Sequence, residues 1–134
     1  MPPMLTDKWG DRENILVKGQ VPRDEIVKYV KAADVCIGPL GSTRAIPLKV
    51  LEYMISGKPV VTGVNSVTRD LAIDGYNCLC VEPTPSHVAE AIVRIIEDPD
   101  LAHILGENAR KTASRYTWEN ISKELKTVLI EAIG

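Results

Sequence analysis

Three kinds of segment are missing from the 134-residue sequence. No run of basic residues is longer than two, so the charge pattern does not favour binding to nucleic acid. No apolar run approaches the roughly 20 residues that a membrane-spanning helix needs. The first residues also lack the apolar segment of a signal peptide. We therefore expect a cytoplasmic chain with no nucleic-acid partner.

Cysteine is scarce as well. The sequence contains three cysteines, Cys36, Cys78 and Cys80. An odd count in a chain without a signal peptide argues against a disulfide framework. Cys78 and Cys80 lie two apart in a strand-like run, which places them on the same face of a strand. We interpret them as small core residues, since a metal site would need more ligands than the sequence offers.

Common catalytic signatures are also absent. The sequence contains neither G-x-G-x-x-G nor G-x-x-x-x-G-K-[ST], which argues against nicotinamide binding and against a nucleotide hydrolase. Ser42 does not lie in a G-x-S-x-G elbow, which argues against a hydrolase nucleophile. His87 and His103 have no nucleophile or ligand cluster nearby in the sequence, so we interpret both as structural or solvent-facing.

Apolar runs and helical periodicity alternate along the chain. Strands are predicted at residues 15–19, 34–39, 59–63 and 78–82. Helices are predicted at 21–33, 47–56, 84–98, 99–116 and 117–133, with a short helix at 67–73 and a turn at 74–77. Thr84 and Thr117 are suitable N-caps, and Gly57 is suited to end a helix. The pattern indicates one α/β domain, residues 1–134: a Rossmann-like parallel sheet with helices on both faces and a helical C-terminal segment.

In such a sheet, ligands bind in the loops that follow the strands. The most informative of these loops follows Pro39. The next helix begins near Pro47, and its unpaired backbone N–H groups favour an anion such as phosphate. Gly41 lets the backbone approach a ligand closely. The candidate phosphate contacts are Gly41, Ser42, Thr43, Arg44 and Lys49, the last two as cations.

Glu52 borders an apolar stripe that includes Leu48 and Ile55 on the same predicted helix. A carboxylate beside a core needs a partner. Lys49, three residues earlier, is one candidate. A ribose is the other, because a carboxylate accepts hydrogen bonds from two vicinal hydroxyls. The alternative interpretation is that Glu52 is a partly exposed residue paired with Lys49, and that Arg44 and Lys49 are ordinary surface charges.

This segment resembles the donor-site signature of the group 1 retaining glycosyltransferases with the GT-B fold. In that family a strand is followed by a glutamate, seven residues, a second glutamate and a Gly-x-Pro-Val-Val strand. The matching stretches are residues 15–21, Glu52-Tyr53-Met54, Gly57 with residues 59–61, DGYNCLCVEP at 74–83 and YTWEN at 116–120. They follow the family's order and cover most of the chain.

The resemblance implies part of a GT-B C-terminal domain that binds a UDP- or GDP-sugar. Glu52 would hold the ribose hydroxyls, while the backbone of residues 41–45 and the following helix N-terminus would hold the diphosphate. Gly19, Gln20 and Val21 would line the base. The implied reaction is transfer of a hexosyl group, such as mannosyl, to an acceptor with retention and without a metal or other cofactor. The complete enzyme would be cytoplasmic or peripherally bound to a membrane.

Two departures from the family pattern modify these expectations. The first glutamate, eight residues before Glu52, is Arg44 here, which cannot accept hydrogen bonds from sugar hydroxyls but can bind phosphate. Nothing before Ile15 resembles the two strands that begin the family's C-terminal domain, and the N-terminal acceptor domain is missing. Transfer requires a held acceptor and a neutralised leaving group, so we expect a fragment or split-enzyme subunit that is inactive alone and needs the N-terminal half as a partner.

Without those two strands, we expect the strands at 15–19 and 34–39 to pair directly, or to leave a sheet edge that a second copy closes in a homodimer. A non-catalytic nucleotide-binding or interaction module remains the alternative function. A flavodoxin-like signalling domain is disfavoured, because no acidic cluster follows the first predicted strand.

Overall fold

The computed structural model describes residues 12–41, 47–63 and 69–134. The elements in chain order are α1 (Arg23–Ala32), β1 (Cys36–Ile37), α2 (Leu48–Ile55), β2 (Val60–Gly63), β3 (Leu79–Val81), α3 (Pro85–Glu97), α4 (Pro99–Ala113) and α5 (Trp118–Ile133). The strands form a parallel sheet in the order β1-β2-β3. This arrangement confirms the predicted α/β class.

Strand β2 lies in the middle of the sheet, and all four of its residues are buried. Successive side chains of a strand point to opposite faces. Val60 therefore packs with Met54 of α2 in one core cluster, while Val61 packs with Ile95 of α3 and Leu105 of α4 in another. The predicted helices on both faces of the sheet are confirmed.

The predicted helix ends are confirmed at three positions. The Thr84 hydroxyl accepts a hydrogen bond from the backbone N–H of His87 at the start of α3. Thr117 caps α5 in the same way, through the backbone N–H of Asn120 at 3.1 Å. Gly57 follows α2 with a φ of 71°, in the left-handed region that favours glycine. Local sequence therefore defines where these helices begin and end.

The predicted strand at residues 15–19 is wrong. The backbone there is irregular and does not join the sheet. The expected direct pairing of residues 15–19 with the strand at 34–39 is therefore wrong as well. Leu16 is exposed, which leaves little apolar burial to hold an extended segment in place. A strand needs a neighbouring backbone for its N–H and C=O groups, and composition alone does not supply one.

The predicted short helix at 67–73 is also wrong over its described part, since residues 69–71 form a turn. Residues 67 and 68 lie outside the described residues. The side chain of Asn77 explains the difference. It donates to the backbone oxygen of Leu71 and accepts from the N–H of Ile73, both at 2.8 Å. These bonds occupy backbone groups that a helix would otherwise use.

Helix α5 has no buried residue, although its apolar side chains suggested a packed face. A tryptophan at the first position of a helix is expected to anchor that helix by burial, but Trp118 is 85% exposed. No element in the described residues covers the apolar side of α5. Within the described parts of the chain, no helix combines the length and apolar character needed to cross a bilayer.

We expect Gly106→Ala to destabilise the fold, because a Cβ at this position of α4 would overlap the carbonyl oxygen of Gly57. In an unconstrained helix the same change stabilises by about 1 kcal/mol. Here the neighbouring backbone cannot move away freely, so we expect the free energy of unfolding, measured in urea, to fall by about 1–3 kcal/mol. The control is Lys111→Ala at an exposed position of α4, with a change within about 0.5 kcal/mol. A Gly106→Ala midpoint at or above that of the wild type would contradict the close approach.

Candidate functional site

The loop after β1 is tied to the carboxyl end of β2. The N–H of Gly38 donates to Val61 O at 2.8 Å, and the N–H of Gly63 donates to Pro39 O at 2.9 Å. A Cβ at Gly63 would overlap the carbonyl oxygen of Leu40. Because glycine has no Cβ, the loop can begin directly against the end of the central strand.

Helix α2 follows this loop, and its N-terminus is suited to an anion. Pro47 is at the N-cap position, no side chain of the described residues caps the helix, and its first turn contains no acidic residue. Backbone N–H groups in the first turn of a helix have no intrahelical partners, and they carry the positive end of the helix dipole. Lys49 adds an exposed cation to the same turn.

The remaining candidate phosphate contacts flank this helix start. Gly41 is exposed at the beginning of the loop. Ser42, Thr43 and Arg44, which the sequence nominated with it, lie outside the described residues. Their predicted contacts therefore remain predictions.

Helix α2 turns a different face to the core from the one that its sequence suggested. Val50 and Met54 are buried, whereas Leu48 is 74% exposed and Ile55 is also largely exposed. Of the predicted stripe of Leu48, Leu51 and Ile55, only Leu51 packs against the core, so the prediction is wrong for Leu48 and Ile55. The sheet and α4 contact the Val50–Met54 side, which leaves the Leu48 side facing solvent.

Glu52 lies on this outer side of α2. With Leu48 and Ile55 it lines a groove of about 450 Å³ between α2 and the start of α5, where Trp118 and Ile121 form part of the opposite wall. We call this the α2–α5 groove. Glu52 therefore borders apolar side chains, as the sequence suggested, but these side chains are accessible to solvent.

The partner of Glu52 is Arg23, not Lys49. The guanidinium Nη2 of Arg23 donates to Oε1 of Glu52 at 2.8 Å, and the two side chains are 86% and 44% exposed. Sequence reasoning missed this pair because Arg23 and Glu52 are 29 residues apart and lie on different helices. Only the packing of α1 beside α2 brings them together.

The pair also relates Glu52 to the candidate base-binding residues. Arg23 is the first residue of α1, and the segment Gly19, Gln20 and Val21 directly precedes that helix. Gly19 and Gln20 are exposed, and Val21 is partly buried. The carboxylate of Glu52 is thus directed toward the beginning of α1, where this segment ends.

Most of the signature around Glu52 has a packing role. Met54, Val60 and Val61 are buried in the two core clusters, and Gly57 supplies the left-handed residue after α2. Tyr53 packs against the first cluster, and burial raises the pKa of its phenol. Glu52 is the member of this stretch that packing does not explain, because its carboxylate lies in an open groove.

Asn77 is a second residue whose importance the sequence did not reveal. It is fully buried, and its side chain makes three hydrogen bonds, the third being a donation to Thr112 Oγ1 of α4 at 3.0 Å. A buried amide that lost these partners would be costly. Asn77 therefore has a structural role: it holds residues 71–73, which precede β3, against α4.

The sequence matches one family profile and several characterised or uncharacterised relatives. The family profile described as glycosyl transferases group 1 matches residues 5–112. An uncharacterized glycosyltransferase of Methanocaldococcus jannaschii is 28% identical over 116 residues, which cover 85% of this chain and 30% of that protein. A D-inositol 3-phosphate glycosyltransferase of Corynebacterium urealyticum is 31% identical over 105 residues, 78% of this chain and 24% of that protein. The chain spans less than a third of the length of either relative.

Solved structures agree as well. Sucrose-phosphate synthase from Thermosynechococcus elongatus matches 97% of this chain and 33% of its own, with a TM-score of 0.82 and 26% identity. HepE from Anabaena in complex with UDP matches 81% of this chain and 30% of its own, with a TM-score of 0.68 and 26% identity. From the family profile and the shared GT-B fold, the chain belongs to the group 1 glycosyl transferases.

Proposed function

We propose that this chain is the donor-binding part of a retaining glycosyltransferase, and that it binds a nucleoside-diphosphate sugar with Glu52 on the ribose. The observation that carries the proposal is the position of Glu52. It is an accessible carboxylate within a stretch whose other members are explained by packing. A carboxylate is well suited to two neighbouring hydroxyls, because each of its oxygens accepts hydrogen bonds.

The diphosphate would lie at the N-terminus of α2. The uncapped helix start, the exposed Lys49 and the accessible backbone at Gly41 support this placement. Ser42, Thr43 and Arg44 connect Gly41 to the helix in sequence, so they would complete the phosphate contacts. Gly19, Gln20 and Val21 would contact the base from the segment before α1.

The ion pair with Arg23 does not prevent ribose binding. An exposed pair of this kind contributes about 0–1 kcal/mol. Hydrogen bonds to a charged group contribute about 1.5–3 kcal/mol each, so two ribose hydroxyls can replace or share the guanidinium. A displaced Arg23 would remain close to the ligand, where it could pair with a phosphate oxygen.

A uridine nucleotide is the first donor to test. HepE from Anabaena has been solved with UDP and with UDP-glucose, and it is 25–26% identical to this chain in those structures. This similarity favours a UDP-sugar over a GDP-sugar. A hexosyl group is the expected transferred group, since UDP-glucose carries one.

The acceptor would be held by another half of the enzyme. Trp118, Leu125 and Ile133 are among the large apolar side chains of α5 that solvent reaches. Exposed apolar surface of this kind marks an interaction site, so α5 is the proposed contact for an N-terminal half. A homodimer is the second possibility, because β1 has no neighbour on its outer side within the described sheet.

We expect Glu52→Ala to weaken binding of UDP and UDP-glucose by roughly tenfold to a hundredfold, the loss that hydrogen bonds to a charged group imply. Calorimetric titration of wild type and variant with UDP, UDP-glucose, GDP and GDP-mannose measures this and ranks the two bases. The matched control is Glu119→Ala, which removes another exposed carboxylate from an ion pair, here with Lys123 at 2.8 Å. Unchanged affinity in Glu52→Ala would contradict the ribose contact.

We also expect the chain alone to transfer no sugar from UDP-glucose or GDP-mannose, because the proposed acceptor site belongs to another half of the enzyme. The assay follows release of UDP or GDP, with and without a co-expressed N-terminal half of a relative. Sedimentation velocity on the same sample tests for a homodimer. Turnover by the monomeric chain would contradict the proposal that another half of the enzyme holds the acceptor. Donor binding without turnover even beside the added half would favour a non-catalytic nucleotide-binding module.

A further inference from the structure

Two thiols lie side by side at the outer strand of the described sheet. Cys78 directly precedes β3 and Cys80 lies in it. Their Sγ atoms are 3.5 Å apart, because residues two apart along an extended backbone project to the same face. Both are free cysteines. The third thiol, Cys36, lies on β1, on the other side of β2. Cys78 and Cys80 therefore form a pair that Cys36 does not join.

The two members of the pair have different environments. Cys78 is 1% exposed, whereas Cys80 is only partly buried and borders a cavity of about 370 Å³. The cavity is also lined by His87 and Arg94 of α3. Cys80 is therefore the more accessible of the two thiols.

Their hydrogen bond increases this difference. The hydrogen bond with Cys78 lowers the pKa of Cys80, against the opposing effects of burial and of Asp74. The same hydrogen bond and burial raise the pKa of Cys78. Cys80 is therefore the more readily ionised thiol of the pair. The backbone N–H of Cys80 is held by Asp74 Oδ1 at 2.9 Å, which fixes the strand at this point.

The backbone allows the two sulfurs to bond. A rise of about 3.3 Å per residue separates their Cα atoms by about 6.6 Å, near the upper end of the range in which disulfides form. The sulfurs need to approach by about 1.5 Å to reach bonding distance. Such a bond would be strained, and strained disulfides are easily reduced. In the described sheet β3 pairs only with β2, so its free side can adjust.

We propose that Cys78 and Cys80 form a reversible oxidation site for hydroperoxides. The Cys80 thiolate attacks one peroxide oxygen, the O–O bond breaks, and the departing oxygen leaves as water or an alcohol after taking a proton. The sulfur of Cys78 then attacks the sulfenic acid of Cys80. The S–O bond breaks, hydroxide leaves as water with the proton of Cys78, and the disulfide forms. The two thiols lose two electrons, and the peroxide gains them.

The test is treatment of the full chain with a small excess of hydrogen peroxide, followed by thiol counting and peptide mass mapping. We expect two of the three thiols to disappear, with the fragments on either side of Leu79 joined by a disulfide that dithiothreitol opens. Cys36→Ser is the matched control and should lose the same two thiols. Cys80→Ser should react with peroxide at least tenfold more slowly, since it lacks the accessible thiolate.

Cys78→Ser separates the two steps of the reaction. Without a resolving thiol, Cys80 should stop at the sulfenic acid, which dimedone captures as an adduct on that residue. If burial makes this variant unstable, phenylarsine oxide on the wild type replaces it, because a trivalent arsenical binds two adjacent thiols and should protect both from alkylation. Retention of all three thiols in peroxide, or a disulfide that involves Cys36, would overturn the proposal.

Discussion

Strand β2 is buried on both faces, and the rest of the domain depends on that burial. Val60 and Val61 point in opposite directions, so each needs its own cover of helices. α2 supplies one layer, α3 supplies the other, and α4 contacts both clusters. The same strand ends at Gly63, against which the loop after β1 is bonded. The core and the edge of the candidate site therefore share one strand.

Helix α2 has to satisfy two demands at once. Val50 and Met54 pack inward, and this rotation directs Glu52 outward into the α2–α5 groove. A carboxylate on the inner face would have carried a large desolvation cost. In the groove it needs only the weak, exposed pair with Arg23. A weakly paired, accessible carboxylate suits the proposed exchange of partners on nucleotide binding.

The segment from Leu71 to Cys80 combines structural and chemical roles in a few residues. Asn77 holds the backbone before β3, while Asp74 accepts from the N–H of Cys80. Strand alternation then fixes both thiols on one face, and their unequal exposure makes one of them accessible. The pair arises from ordinary strand geometry, and only its asymmetry distinguishes it from two core residues.

The sequence by itself determined the features that depend on neighbouring residues. The caps at Thr84 and Thr117, the glycine after α2 and the alternation of strands with helices are local, because each is decided within about one helical turn or one strand. The family signature was likewise readable from sequence, since its spacing is continuous along the chain.

Tertiary structure decided what depends on distant partners. Residues 15–19 have strand-like composition but lack a neighbouring strand, and Trp118 is apolar but has no covering element in the described residues. The rotation of α2 follows from the position of the sheet and α4, and Glu52 pairs with Arg23 of a different helix. Periodicity shows that a helix has an apolar face, but only its neighbours determine which face is buried and which charge faces solvent.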